Sequence, residues 1–129
     1  MTTKTLSQFL AIDAAVCALV FVLGVFATAI VAELTGLPDA VIAAAGWVCL
    51  AAGTLLAVLA VRPMRGPLWL AIAGNLAWVV ASVAVWMVYA RDLTAFGHAL
   101  VIVQALGVAA FVVLESRGAA SLASRPAIA

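Results

Sequence analysis

Residues 68–90 read LWLAIAGNLAWVVASVAVWMVYA, 23 consecutive positions without a charged side chain. At about 1.5 Å per residue a helix of this length runs roughly 34 Å, enough to cross a hydrocarbon core of about 30 Å. Outward from it the pattern repeats. An apolar stretch from Ala40 to Val61 precedes it, and one from Ala95 to Leu114 follows. A fourth, from Leu10 to Ala32, opens the chain and holds a single acidic residue, Asp13. Four near-complete spans in 129 residues predict an integral membrane protein of one domain. The composition agrees: 69% of residues are hydrophobic, 9% are charged, and mean hydropathy is +1.35. A soluble domain carries about 25% charge.

The charges fall between the stretches and are unevenly shared. Lys4, Arg62, Arg65, Arg117 and Arg125 lie on one side, against Arg91 with Glu33, Asp39 and Asp92 on the other. The positive-inside rule then puts both termini and the middle loop in the cytoplasm. An even number of spans also requires the termini to share a side. Ala27-Thr28-Ala29 has the small-x-small form of a signal cleavage site. However, the apolar run continues past it and contains Asp13, which argues for a retained span.

The connections are short turns. Leu34-Thr35-Gly36-Leu37-Pro38-Asp39 offers Gly36 for a positive φ after a helix end, and Pro38 cannot continue a helix. Pro67 suits the first turn of the third span, and Asp92 or Thr94 suits the N-cap of the fourth. Short turns make neighbouring helices antiparallel. The expected fold is an all-α, up-down-up-down bundle of four transmembrane helices. Its transmembrane domain covers residues 1–115, with spans near 10–32, 40–61, 68–90 and 95–114. Residues 116–129, rich in Ala and Ser, are expected to form a frayed cytoplasmic tail. The second span carries a small-residue ridge, Gly46, Cys49, Gly53 and Ala57, and reads as a packing wall. Cys17 and Cys49 lie within spans, so they read as packing residues rather than disulfide or metal-site cysteines.

Polar residues within a span are costly and face protein or water. Asn75, Trp78, Ser82, Trp86 and Tyr89 share one face of the third helix, and Gln104, Gly107, Phe111 and Glu115 share one face of the fourth. By helical rise Asp13 lies roughly 6 Å, Asn75 about 12 Å and Gln104 about 18 Å inside the cytoplasmic boundary. Asp13, Asn75, Trp78, Ser82, Gln104 and Glu115 are therefore the candidate ligand-binding residues, lining a pocket that opens toward Glu115. Plainer readings compete. Asp13 can pair with Arg62, Arg65 or Arg117. Asn75 and Gln104 can bond each other as packing glue. Trp47, Trp69 and Tyr89 sit where interfacial belt residues do. His98 reads as a surface or capping residue, with no second His for a bis-His haem. The residues suggest no metal and no cofactor.

The segments Leu34-Thr35-Gly36-Leu37-Pro38, Gly74-Asn75-Leu76-Ala77-Trp78-Val79-Val80-Ala81-Ser82 and Leu93-Thr94-Ala95-Phe96-Gly97 resemble those of small four-span bacterial membrane proteins. The resemblance continues through Gln104-Ala105-Leu106 to Glu115, includes the early Asp13, and covers nearly the whole chain. It implies the four-span topology, the bacterial inner membrane, and the choice of polar residues. That family has no settled activity, so no function follows from it.

Three functions compete. Minimal loops and few ionisable groups favour a non-enzymatic helper that binds a lipid or hydrophobic ligand, or serves as an accessory subunit of a larger membrane complex. The alternative is a small dimeric secondary transporter using Asp13 and the Asn75/Trp78/Gln104 faces. An enzyme is disfavoured, for no Ser/His/Asp set or metal cluster is visible. The expected partners are the bilayer and a larger complex or a second copy, with no nucleic acid.

Overall fold

A computed structural model describes residues 1–124. It contains α1 (Thr3–Phe26), α2 (Thr28–Thr35), α3 (Asp39–Val61), α4 (Arg65–Tyr89) and α5 (Ala95–Ala123). All but α2 are long and apolar enough to cross a membrane. The protein is an all-α membrane protein whose four long helices alternate in direction. Arg125 and the last residues of the expected tail lie outside the described residues. Below, the end carrying residue 1 is called the terminal end.

The helices overrun the apolar stretches at the terminal end. α1 starts at Thr3, where the Thr2 side chain accepts from the Thr5 N–H at 3.1 Å. α5 continues to Ala123, so residues 116–123 are helix and not a frayed tail. Hydropathy marks where side chains prefer lipid, whereas a helix persists as long as its backbone bonds are made. Here Gly118 and Ala119 are buried and keep the last turns packed.

The first long helix also ends before its apolar run does, because the helix breaks at Ala27 (φ −128°, ψ 29°). The Thr28 hydroxyl donates to the Gly24 carbonyl at 2.6 Å, a back-bond of the kind that bends helices. α2 then ends on Gly36 at φ 79°, as the turn sequence predicts. At α5 the cap is Thr94, whose hydroxyl accepts from the Gly97 N–H at 2.9 Å. The two turns at this end are tied together. Thr94 donates its N–H to the Thr35 carbonyl at 3.0 Å and its hydroxyl to the Leu34 carbonyl at 2.6 Å.

The helices form two intimate pairs, α1 with α3 and α4 with α5, that meet more loosely. Small residues explain the first pair. A Cβ on Gly24 would stand 2.8 Å from the Ile42 carbonyl oxygen and 3.2 Å from the Gly46 Cα, so the backbones touch. Such proximity gains dispersion contacts, which drive helix association in lipid. One level along, Cys17 packs on Gly53 and Cys49, and Phe21 meets Trp47 edge to face at 5.5 Å. α3 is thus the packing wall that its sequence predicts. The second pair, α4 with α5, is fastened by side-chain hydrogen bonds. α1 and α4 are diagonal neighbours across the bundle.

The apolar core sits toward the terminal end. Leu6, Leu10, Leu56, Leu59, Leu68, Ala71, Ile72 and Ala119 fill it. Most other large apolar side chains, among them Leu19, Ile30, Val80 and Val103, point outward, as they do in a lipid-facing surface.

Candidate functional site

The polar positions of the spans come inward, but in separate clusters and not around one pocket. The innermost cluster joins three helices. Asn75 Nδ2 donates to Asp13 Oδ2 at 2.8 Å and to Glu115 Oε2 at 3.2 Å. All three are buried, with relative exposures of 8% for Asn75, 2% for Asp13 and 0% for Glu115. Their levels match because of the helix ends. Asp13 is ten residues beyond the start of α1, Asn75 ten beyond the start of α4, and Glu115 eight before the end of α5. At about 1.5 Å per residue each sits roughly 12–15 Å from the terminal end.

Two expectations are overturned here. Glu115 is not at a pocket mouth but at the centre of the cluster, because α5 runs two turns further than its apolar stretch. Asp13 does not pair with an arginine. Arg62, Arg65 and Arg117 are exposed, and the Asp13 carboxylate is met by Asn75.

The second cluster lies on α4 and α5. Trp78 Nε1 donates to Gln104 Oε1 at 2.6 Å. Gln104 Nε2 donates to Ser82 Oγ at 2.8 Å and to the Val101 carbonyl at 3.0 Å. Ser82 Oγ in turn donates to the Trp78 carbonyl at 2.8 Å. Gln104 thereby uses its carbonyl and both amide hydrogens, which removes the cost of burying the amide. Asn75 and Gln104 do not bond each other, because Asn75 faces α1 and α5 while Gln104 faces Trp78 and Ser82. Trp78, expected as the wall of a ligand pocket, instead uses its indole N–H within the helix pair.

Sequence reasoning missed a third pair. Trp86 Nε1 donates to His98 Nδ1 at 2.9 Å, with the rings edge to face at 6.2 Å. His98 is therefore neither a cap nor a free surface group. An accepting Nδ1 places the ring hydrogen of a neutral imidazole on Nε2. A signal for it existed. In an antiparallel pair, partner numbers fall on one helix as they rise on the other. The contacts Asn75–Glu115, Ser82–Gln104 and Trp86–His98 follow that rule, so any one of them points to the next.

Beside this ladder an apolar groove of about 280 Å³ opens between α4 and α5. Val79, Val83, Trp86, Ile102, Ala105 and Leu106 are among its lining residues. Val83, Ile102 and Leu106 form an exposed rim. Ser82 also lines it, but its hydroxyl is turned to Trp78 and Gln104. One end of the groove meets the Trp86–His98 pair. Chemically, the clusters hold helices together and the groove presents an apolar surface.

No protein-family model, curated protein or solved structure matches this chain.

Proposed function

We propose that this is a small non-enzymatic protein of the bacterial inner membrane, with both termini cytoplasmic, that holds a lipid chain or similar hydrophobic ligand between α4 and α5. The observation that carries this reading is the groove. Its walls are apolar, its volume of about 280 Å³ suits a slender chain, and it opens sideways. The Trp86–His98 pair at one end supplies a polar boundary of the kind lipid headgroups meet. The six polar side chains named from the sequence support the ligand at one remove, by fixing the helices that form the groove.

The test is extraction into lipid nanodiscs without detergent, followed by mass spectrometry of bound lipids and small molecules. Ala105→Trp fills the groove and should lower the bound ligand at least several-fold while the protein remains folded. Equal ligand content in the variant and the parent sinks the proposal.

A second reading, an accessory subunit of a larger membrane complex, is favoured by α4. Its outward positions Gly74, Ala77, Ala81 and Ala84 are small and exposed, and a Cβ on Gly74 would meet nothing within 4 Å. Small residues let another helix approach closely. A stoichiometric partner in the same extraction supports it, and its consistent absence rejects it. The dimeric transporter is favoured less, since Asp13, Asn75 and Glu115 are closed upon one another.

A further inference from the structure

Asp13 and Glu115 form a pair of buried carboxyls that the lipid groove does not use. Both accept from one Asn75 amide nitrogen, at 2.8 and 3.2 Å, which brings the two carboxyl groups side by side. The remaining Glu115 oxygen, Oε1, is buried and has no hydrogen-bond partner. A buried acceptor left without a donor costs about 1–3 kcal/mol, and more when it is charged. Native structures rarely leave one so.

We propose that Asp13 and Glu115 together bind one exchangeable proton, held between the two carboxyls beside Asn75. Three observations support it. The first is the orphan oxygen: a hydrogen on either carboxyl gives the pair a donor where both are otherwise acceptors only. The second is space. Glu115 has no exposed surface and Asp13 has 2%, so essentially nothing the size of water reaches them. A proton needs no such space, whereas a hydrated cation does. The third is charge. Lys4, Arg62, Arg65 and Arg117 are all exposed, and none compensates the pair. Two bare carboxylates side by side in a dry interior repel each other strongly, and shared protons are how carboxyl pairs escape this.

The other groups facing the pair are few. Cys17 stands one turn along α1, and Cys49 of α3 packs against it. α4 contributes only the Asn75 amide; of the other titratable groups on α5, Arg117 is exposed and His98 lies far along the helix against Trp86.

The step is a simple protonation. A hydronium ion of the bulk solvent gives up its proton and becomes water, the proton bonds to one carboxylate oxygen when the site opens transiently, and the pair passes from two negative charges to one. The pair lies on the seam between α1 and α5, so the proton's departure sets like charges across that seam. The site is thus a proton-operated latch between the two helix pairs. Leu6 seals it from the terminal end by lying on Gly118, where a Cβ would come 2.5 Å from Leu6 Cδ1.

The test is infrared spectroscopy of the protein in lipid nanodiscs at neutral pH, with and without carboxyl-¹³C-labelled glutamate and aspartate. The expected result is a protonated-carboxyl stretching band that moves in heavy water and moves again with either label. It should be unchanged when sodium replaces potassium. Asp13→Asn/Glu115→Gln should abolish it. The labelled parent protein carries the same information should that variant not fold. A parent protein without the band, a band that ignores both labels, or one that vanishes in sodium as a desolvated cation takes the site overturns the proposal.

Discussion

Replacing Asn75 by Leu separates the innermost cluster from ordinary packing glue. The side chain gives two bonds, to Asp13 at 2.8 Å and Glu115 at 3.2 Å. Interhelical hydrogen bonds in membranes average about 0.6 kcal/mol, so two that merely add packing energy are worth about 1.2 kcal/mol. Here, however, the loss strands buried carboxyl oxygens, each at about 1–3 kcal/mol. Asn75→Leu should therefore cost about 3 kcal/mol, a little over a hundredfold in the folding constant. Replacing all three partners leaves nothing stranded. Asp13→Leu/Asn75→Leu/Glu115→Met should come within about 1 kcal/mol of the parent, as buried charge networks replaced by apolar groups often do. The assay is reversible unfolding in mixed micelles with a denaturing detergent, followed by tryptophan fluorescence. If the single variant loses no more than about 1 kcal/mol, or if the triple variant is as unstable as the single, the account of stranded carboxyls is wrong.

Two further outcomes are expected. Gly36→Ala forces a side chain onto φ 79° and points its Cβ into the Asp92 carbonyl of the neighbouring turn, so it should lower stability by about 2–3 kcal/mol, read as a lower melting temperature. Reporter fusions after Lys4 and after Arg117 should both read cytoplasmic, given the excess of basic residues on that side. A periplasmic signal from either reverses the proposed orientation.

The four spans were legible because lipid imposes one strong demand, long apolar helices, on every segment that crosses it. The turns were legible too: Gly36 and Thr94 each do what a glycine after a helix end and a threonine before one suggest. Partner choice was not legible. Asn75 and Gln104 each offer an amide that the other could meet as packing glue, yet they belong to different clusters. The error came from the span boundaries. Ending the fourth span at Leu114 set Glu115 at the surface, whereas α5 runs on to Ala123 and carries Glu115 down to the level of Asp13. Hydropathy reports solvation of side chains and says little about where backbone hydrogen bonding stops. Small polar residues such as Ser116 and Ser121 continue the helix by bonding back to the Val112 and Arg117 carbonyls. In the same way Thr28 ends α1 early within an unbroken apolar run.

The cluster and the groove are linked by how α5 is held. At the terminal end it is fixed to the other helix pair through Glu115, which shares the Asn75 amide with Asp13, and through the contact of Leu6 with Gly118. At the opposite end Gly97 lies against the Thr35 carbonyl, and Thr94 bonds the same turn. Between these anchors α5 depends mainly on α4, through Gln104 with Trp78 and Ser82, and the groove opens along that stretch. A helix pinned to the other pair at both ends, and held along its middle by α4 alone, has its least support on the side where the groove opens. The two anchors differ in kind. The one at the turns is made of backbone carbonyls and a threonine, which do not change with proton supply. The other rests on two carboxyls. Release of the proton proposed for that pair would loosen α5 at one end alone, so the groove would respond by hinging about the Thr35–Gly97 contact rather than by separation of the helices.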